Sequence, residues 1–160
     1  MKKVNLLFLF PLAVLLMFGL GSCGKDPEVA PLPDFRALLI EAGTFKGDKY
    51  EKPGDPFTFY PNIVVTVKAG NNPNEVILTE GDRSFTVKLD SAKSNAVRLV
   101  IPAQKVNNIH TYVGVPLNET GTDKSHGYYT TRDASKTAIN ELLFRVSIDN
   151  RKLTYYLKKQ

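Results

Sequence analysis

The two histidines of the chain are the first residues to consider for chemistry. His110 and His126 flank a polar loop over residues 118–125, on segments that alternate apolar and polar residues as strands do. If these strands pair around a turn near Asn118, the imidazoles face each other, and facing histidines can ligate haem or a divalent metal. The turn-forming residues centre nearer Gly121, which would move His126 out of register. The pattern therefore allows either a bis-histidine haem site or two ordinary histidines beside a loop.

Patterns typical of enzymes are otherwise missing from the sequence. It has no Gly-x-Ser-x-Gly turn for a serine nucleophile, no glycine-rich phosphate loop and no acidic run of the EF-hand type. Glu80 and Asp82 flank a glycine, which is more typical of a turn than of a general acid–base pair. A single cysteine excludes a disulfide framework and a cysteine-ligated zinc site. We therefore expect a protein that is not an enzyme and that uses neither a cofactor nor a metal.

Aromatic side chains are the more general indication of a binding site. The chain has seven tyrosines and nine phenylalanines, and most of those beyond the first 22 residues lie near or on expected strands. Rings that carry a hydroxyl suit the binding of sugars or flat ligands, although core packing in a β-rich protein uses the same residues. If the fold has a pocket, we expect Tyr112, Tyr128 and Phe59 to contact the ligand.

Short strands are the elements that must position these residues. Period-2 alternation dominates the chain, and clusters of Gly, Asn, Asp and Pro separate the alternating segments. Asp149-Asn150 is a two-residue hairpin signal. Residues 35–41 are the one segment with a helical pattern, as a single turn or as the lead into the first strand. The strands are expected over residues 44–50, 63–67, 75–79, 85–89, 97–101, 109–115, 127–131, 142–148 and 153–157.

About eight or nine short strands with polar turns indicate an all-β barrel or β-sandwich. Because nearly every connection is short, sequential strands should be antiparallel neighbours, which favours an up-and-down barrel over the sandwich. The opening Gly43-Thr44-Phe45-Lys46-Gly47, a meander and a Tyr-rich last strand resemble the calycin or lipocalin-like barrels. The resemblance runs from about Leu39 to Lys159 and implies a barrel that can hold one small ligand. The absence of tryptophan separates the chain from true lipocalins.

The first 22 residues have the layout of an export signal. Two lysines precede an apolar run over residues 6–20, which is too short to span a bilayer comfortably. The end of this run, Leu20-Gly21-Ser22-Cys23, resembles the lipobox of bacterial lipoproteins. That resemblance implies cleavage between Ser22 and Cys23, acylation of Cys23 and durable membrane attachment through its acyl chains. The alternatives are an ordinary secretory signal and an uncleaved anchor helix.

The chain thus divides into three segments: a lipoprotein signal peptide (1–22), the lipidated cysteine with a proline-rich tether (23–34), and a β-barrel domain (35–160). Loss of the signal lowers the formal charge from +5 to +3, and no basic motif interleaved with aromatics indicates nucleic-acid binding. We expect a non-enzymatic lipoprotein of the outer membrane, facing the periplasm or the cell surface. It would bind a small apolar or glycan ligand or a partner protein. The alternative is a structural or inhibitory envelope lipoprotein with a filled barrel and no ligand.

Overall fold

The computed structural model describes residues 32–51, 58–132 and 138–160. Ser22, Cys23 and the first part of the tether lie outside the described residues, so signal cleavage and lipidation stay predictions. The described part of the chain contains one helix and ten strands. They are α1 (Phe35–Ala42), β1 (Thr44–Glu51), β2 (Thr58–Ala69), β3 (Glu75–Glu80), β4 (Arg83–Ala92), β5 (Ala96–Val100), β6 (Gln104–Val106), β7 (His110–Gly114), β8 (Gly127–Arg132), β9 (Ala138–Ile148) and β10 (Arg151–Lys159).

Eight of these strands close into an antiparallel barrel. The order around the barrel is β10-β1-β2-β3-β4-β5-β8-β9, and pairing of β9 with β10 closes the ring. Strands that are neighbours in the barrel are also neighbours in sequence, apart from the step from β5 to β8 and the pairing of β1 with β10, which joins the first strand to the last. The structure therefore confirms the calycin-like all-β barrel expected from the sequence, with up-and-down connections.

The hairpin of β6 and β7 lies outside this ring. β7 pairs with the end of β9, where Tyr112 is opposite Ile148, and β8 pairs with the preceding part of β9, where Gly127 is opposite Phe144. The expectation that the strands of the two histidines pair with each other is therefore wrong. β7 pairs instead with β6 and β9. β6 has only three residues, so its alternating pattern is too short to be recognised in the sequence. A tight turn with positive φ at Asn107 and the residue after it pairs β6 with β7.

Helix α1 covers one end of the barrel. Its first turn is capped by the side chain of Asp34, and Gly43, with φ of 68°, ends it. The ring of Phe35 packs edge to face on Tyr129 of β8, with 6.4 Å between the centroids. Arg36 donates hydrogen bonds to backbone carbonyls of the β2–β3 connection, so the helix is tied to the barrel on two sides.

The interior of the barrel is filled by side chains. Phe144 is fully buried, stacks on Tyr155 at 4.3 Å between centroids and lies 5.9 Å from the ring of Phe85. Towards α1, Phe45 packs edge to face on Tyr129 at 6.0 Å. An eight-stranded barrel is just wide enough for side chains to fill it, and these rings occupy that width. Aliphatic side chains complete the core: Val65, Val67, Val76, Leu78, Val87, Val97, Leu99, Leu142, Val146 and Leu157.

Backbone geometry explains two of the sequence signals. Asp149 and Asn150 both have positive φ, 50° and 69°, as the tight turn between β9 and β10 requires. At Gly47 the chain passes so close to β10 that an added Cβ would lie 2.0 Å from the carbonyl oxygen of Tyr156. Glycine is therefore needed at this position of the opening segment.

The two ends of the barrel are formed by different parts of the chain. The described chain enters at Leu32, next to α1, and the β2–β3 and β4–β5 connections lie at the same end. We call the opposite end the mouth; it is formed by the end of β1, the start of β2, and the β3–β4 and β9–β10 turns. The mouth is therefore the end of the barrel farthest from the point where the chain enters it.

Candidate functional site

A pocket of about 260 Å³ opens at the mouth. Its volume is just below the roughly 300–1,000 Å³ of pockets that hold drug-sized ligands, so it suits a smaller molecule. Most of the described residues that line it are charged or hydrogen-bonding, and two of them, Ile148 and Leu153, are aliphatic. The lining residues are Lys49, Glu51, Tyr60, Arg83, His110, Ile148, Asp149, Arg151 and Leu153.

Glu51 forms one wall of the pocket. Its carboxylate accepts a hydrogen bond of 2.5 Å from Nε of Arg151 and a second from Nη2 of the same guanidinium, and the hydroxyl of Tyr60 donates to it at 2.9 Å. The Arg151 hydrogen bonds hold the pKa of Glu51 below its usual value although burial opposes them, and the same contacts raise the pKa of Arg151. Glu51 is therefore a fixed anion whose side chain is only 7% exposed.

Lys49 and Glu80 form a second ion pair, at 2.6 Å, with side chains that are 12% and 19% exposed. The other Glu80 oxygen accepts a hydrogen bond of 2.7 Å from the hydroxyl of Tyr155. The Lys49 ammonium lies 5.2 Å from the ring centroid of Tyr60 and 5.3 Å from that of Tyr155, within cation–π range. Burial raises the pKa of Tyr155, so its hydroxyl stays protonated and remains a donor. The sequence predicts only a turn residue at Glu80, but its carboxylate holds the ammonium of Lys49 inside the mouth.

His110 and Asp149 form the third pair, with 2.6 Å between Nδ1 and Oδ2. The other Asp149 oxygen accepts a hydrogen bond of 2.8 Å from the backbone N–H of Thr111. The contact with His110 and the Thr111 bond hold the pKa of Asp149 below its usual value. His110 is thereby fixed at the rim of the pocket by the β9–β10 turn.

Arg83 is the mouth cation with the weakest carboxylate partner. Among the described residues, the one carboxylate within ion-pair distance is that of Asp82, at 4.0 Å, and the Arg83 side chain is 40% exposed. Its guanidinium lies near the Tyr112 hydroxyl and acts to lower the pKa of that group, while burial has the larger effect and raises it. Arg83 therefore lines the pocket with donor groups that no close carboxylate occupies.

The structure does not bring His110 and His126 together. His126 accepts a hydrogen bond of 2.8 Å from the backbone N–H of Ile101 on Nδ1, and burial lowers its pKa. It presses on Gly114, where an added Cβ would lie 1.9 Å from that nitrogen. His110 and Gly114 are at opposite ends of β7, roughly 13 Å apart for four strand residues, whereas nitrogens sharing a metal lie within about 4 Å. The geometry gives no support to the haem pair.

Within residues 32–51, 58–132 and 138–160, no group of three or more His, Cys, Asp or Glu side chains is placed to hold a metal ion.

Two of the three predicted ligand contacts lie away from the pocket surface. Tyr112 is 1% exposed, and its ring packs on Phe85 at 5.2 Å in the core. Phe59 is 49% exposed on the outer wall, where its ring lies 5.2 Å from that of Tyr50, which in turn meets Tyr156 at 5.6 Å. We call these three outer residues, Tyr50, Phe59 and Tyr156, the outer aromatic cluster.

Tyr128 lines a different pocket, of about 270 Å³, on the outside of the barrel. Its hydroxyl donates a hydrogen bond to Asp123, and Arg98 lies 3.5 Å from the same carboxylate. The Tyr128 hydrogen bond and those from Ser125 lower the pKa of Asp123 to about 2. The three predicted ligand contacts are therefore placed in the core, on the outer wall and in a second pocket, and they do not form one site.

His110, Glu80 and Asp149 were considered from the sequence, but for other roles; the remaining mouth residues were missed, although the alternating pattern contained a signal for them. The inward side of β1 starts at Phe45 and continues, in steps of two residues, to Lys49 and Glu51. Arg83 lies two residues before the inward Phe85, and Arg151 lies two residues before the inward Leu153. Successive side chains of a strand alternate between its two faces. In this barrel, the charged residues that precede or follow the inward apolar positions of a strand therefore lie at the end of the interior.

Comparison of the chain with protein-family models, with curated proteins and with solved structures finds no match. Over the part of the chain that the structure describes, no helix is both long enough and apolar enough to cross a membrane.

Proposed function

We propose that this protein is a non-enzymatic lipoprotein, anchored in the outer membrane through Cys23, that binds a small hydroxyl-rich ligand of the sugar class at the barrel mouth. The observation that carries the proposal is the contrast between a filled interior and an open polar pocket at one end. Because side chains fill the interior space that other barrels use for a ligand, we place the ligand in the polar pocket at the mouth.

The filled interior argues against an apolar ligand. Phe85, Phe144 and Tyr155 occupy the centre of the barrel, each no more than 3% exposed. Interiors packed in this way leave few voids larger than a water molecule. Of the two ligand types expected from the sequence, the glycan is therefore favoured over the apolar molecule.

The mouth offers the mixture of groups that sugar hydroxyls need. Arg83 and Lys49 are donors, the carboxylates of Glu51 and Asp149 are acceptors, and the Tyr60 ring adds an amphipathic surface. A sugar hydroxyl both donates and accepts, so it can bridge such neighbouring groups, and a few fixed polar groups are what orients ligands in small sites. The ion pairs hold these groups in place before a ligand arrives, which reduces the entropic cost of binding.

The direction of the barrel is compatible with a tethered binding module. The described chain enters beside α1, at the end opposite the mouth. A tether that reaches Leu32 from an acylated Cys23 therefore joins the barrel at the end away from the pocket.

A second candidate function is contact with a partner protein, as expected for an envelope lipoprotein that takes no ligand. The outer aromatic cluster favours it, because Phe59 and Tyr156 are 49% and 53% exposed and aromatic residues are enriched in protein interfaces.

The proposal is tested by titrating the ¹⁵N-labelled full-length protein, in detergent micelles, with galactose, glucose and N-acetylglucosamine. We expect at least one sugar to shift backbone resonances of β1, β4 and the β9–β10 turn, since these line the mouth. Tyr60→Phe removes one hydroxyl from the pocket and should weaken binding, whereas the matched control Tyr156→Phe, on the outer wall, should not. Shifts confined to the Tyr128 pocket or to the outer aromatic cluster would contradict the proposed site.

A further inference from the structure

We propose that the ligand of the mouth is an anionic sugar and that the guanidinium of Arg83 binds its acidic group. This inference rests on the proposed function and adds to it the chemical class of the ligand. A carboxylate, as in a uronic acid, and a phosphate, as in a sugar phosphate, both present two oxygens that can accept parallel hydrogen bonds from an arginine.

Among the described residues, every other charged group that lines the mouth has a close partner. Arg151 holds Glu51 through two hydrogen bonds, one of them 2.5 Å. Lys49 is held by the carboxylate of Glu80 at 2.6 Å. A charged group of a ligand would have to break one of these short contacts to pair with Arg151 or Lys49, whereas a neutral sugar hydroxyl can share their remaining hydrogen-bonding positions.

The acids of the mouth are engaged in the same way. Asp149 accepts from the Thr111 N–H and pairs with His110, and Glu80 accepts from the Tyr155 hydroxyl as well as from Lys49. An incoming cation would have to compete with these bonds. The carboxylates of the mouth that the structure describes are therefore all engaged, and none is ready for a positively charged ligand.

Arg83 differs from these cations and acids because its one ion-pair contact among the described residues is long. Its contact with Asp82 is 4.0 Å long, and Asp82 itself is 87% exposed to solvent, which screens the interaction. The guanidinium has five N–H donors in a fixed fork, lines the pocket and lies beside the buried Tyr112 hydroxyl. A ligand acid placed there would gain two parallel hydrogen bonds and would compete with the long contact to Asp82 and with the neighbouring Tyr112 hydroxyl.

The experiment compares galactose, galacturonate and galactose 1-phosphate as ligands of the full-length protein in detergent micelles, by isothermal titration calorimetry. Four proteins are used: wild type, Arg83→Gln, Arg83→Lys and Arg132→Gln. Arg132 is an exposed arginine at the α1 end of the barrel, so its replacement is a matched control for the loss of one positive charge. Circular dichroism verifies that each variant is folded.

We expect one anionic sugar to bind wild type at least about tenfold more tightly than galactose, the effect typical of hydrogen bonds to a charged group. Arg83→Gln should remove this preference, Arg83→Lys should retain part of it because the charge remains without the fork, and Arg132→Gln should retain all of it. Whether galacturonate or galactose 1-phosphate binds better identifies the acid as carboxylate or phosphate.

Equal affinities of wild type for galactose and both anionic sugars would overturn the role of Arg83 and leave the mouth as a neutral sugar site. Binding of none of the three to wild type would count against this inference and the proposed function together. If Arg83→Gln does not fold, the affinities of wild type and Arg83→Lys decide, since an unchanged preference in Arg83→Lys would also contradict recognition by a forked donor.

Discussion

Replacement of Phe144 by alanine tests the filled interior, on which the choice of a mouth site depends. Phe144 is fully buried and packs on the rings of Tyr155 and Phe85. Burial of a phenylalanine side chain contributes about 1.5–3 kcal/mol. A residual cavity of about 50–100 Å³ adds about 1–2 kcal/mol. The free energy of unfolding should therefore fall by about 3–5 kcal/mol, the range seen for buried aromatic residues replaced by alanine.

The assay is urea unfolding of residues 32–160, followed by far-ultraviolet circular dichroism because the chain has no tryptophan. At roughly 2–8 °C per kcal/mol for domains around this size, Tm should fall by at least about 6 °C. The matched control is Phe59→Ala on the outer wall, where the side chain is 49% exposed, and its cost should stay near about 1 kcal/mol. A Phe144→Ala effect no larger than the Phe59→Ala effect would refute the packed lumen.

Three further predictions concern the mouth, the outer wall and the anchor. Glu80→Gln leaves Lys49, whose side chain is 12% exposed, without its charged partner, and should lower the free energy of unfolding by about 3 kcal/mol in urea titrations. The control Glu141→Gln removes the acid of an exposed ion pair and should change the free energy of unfolding by less than about 1 kcal/mol. Because the pKa of Asp123 falls to about 2 on folding, its ionised form adds stability above pH 4 that is lost as the pH falls to 2. Asp123→Asn should flatten that part of the stability–pH profile, and an unchanged profile would contradict the Tyr128 contact. Cys23→Ser should abolish palmitate labelling, and labelling that persists would show that the lipobox prediction is wrong.

The fold was predictable because its strands alternate cleanly. On β9 the apolar residues from Leu142 to Ile148 face the core at every second position, so both the strand and its inward side could be read from the sequence. The β6–β7 hairpin could not be predicted, because β6 has three residues and its pairing depends on backbone angles at Asn107.

The site was less predictable than the fold, for a geometric reason. Glu51 and Arg151 are about 100 residues apart in sequence and meet because β1 lies beside β10. Single-strand patterns indicate which way a residue points but not which other strand ends surround it. Aromatic composition alone favoured Tyr112, whose ring the structure places in the core.

The seam between β1 and β10 has a consequence for biogenesis. It joins the first strand of the barrel to the last, across more than 100 residues of chain. The ring can therefore close only after the carboxyl-terminal strand has been synthesised, and until then the hydrogen-bonding edges of β1 and β9 remain open. Such edges pair readily with other chains, so we expect a chain truncated before Arg151 to aggregate.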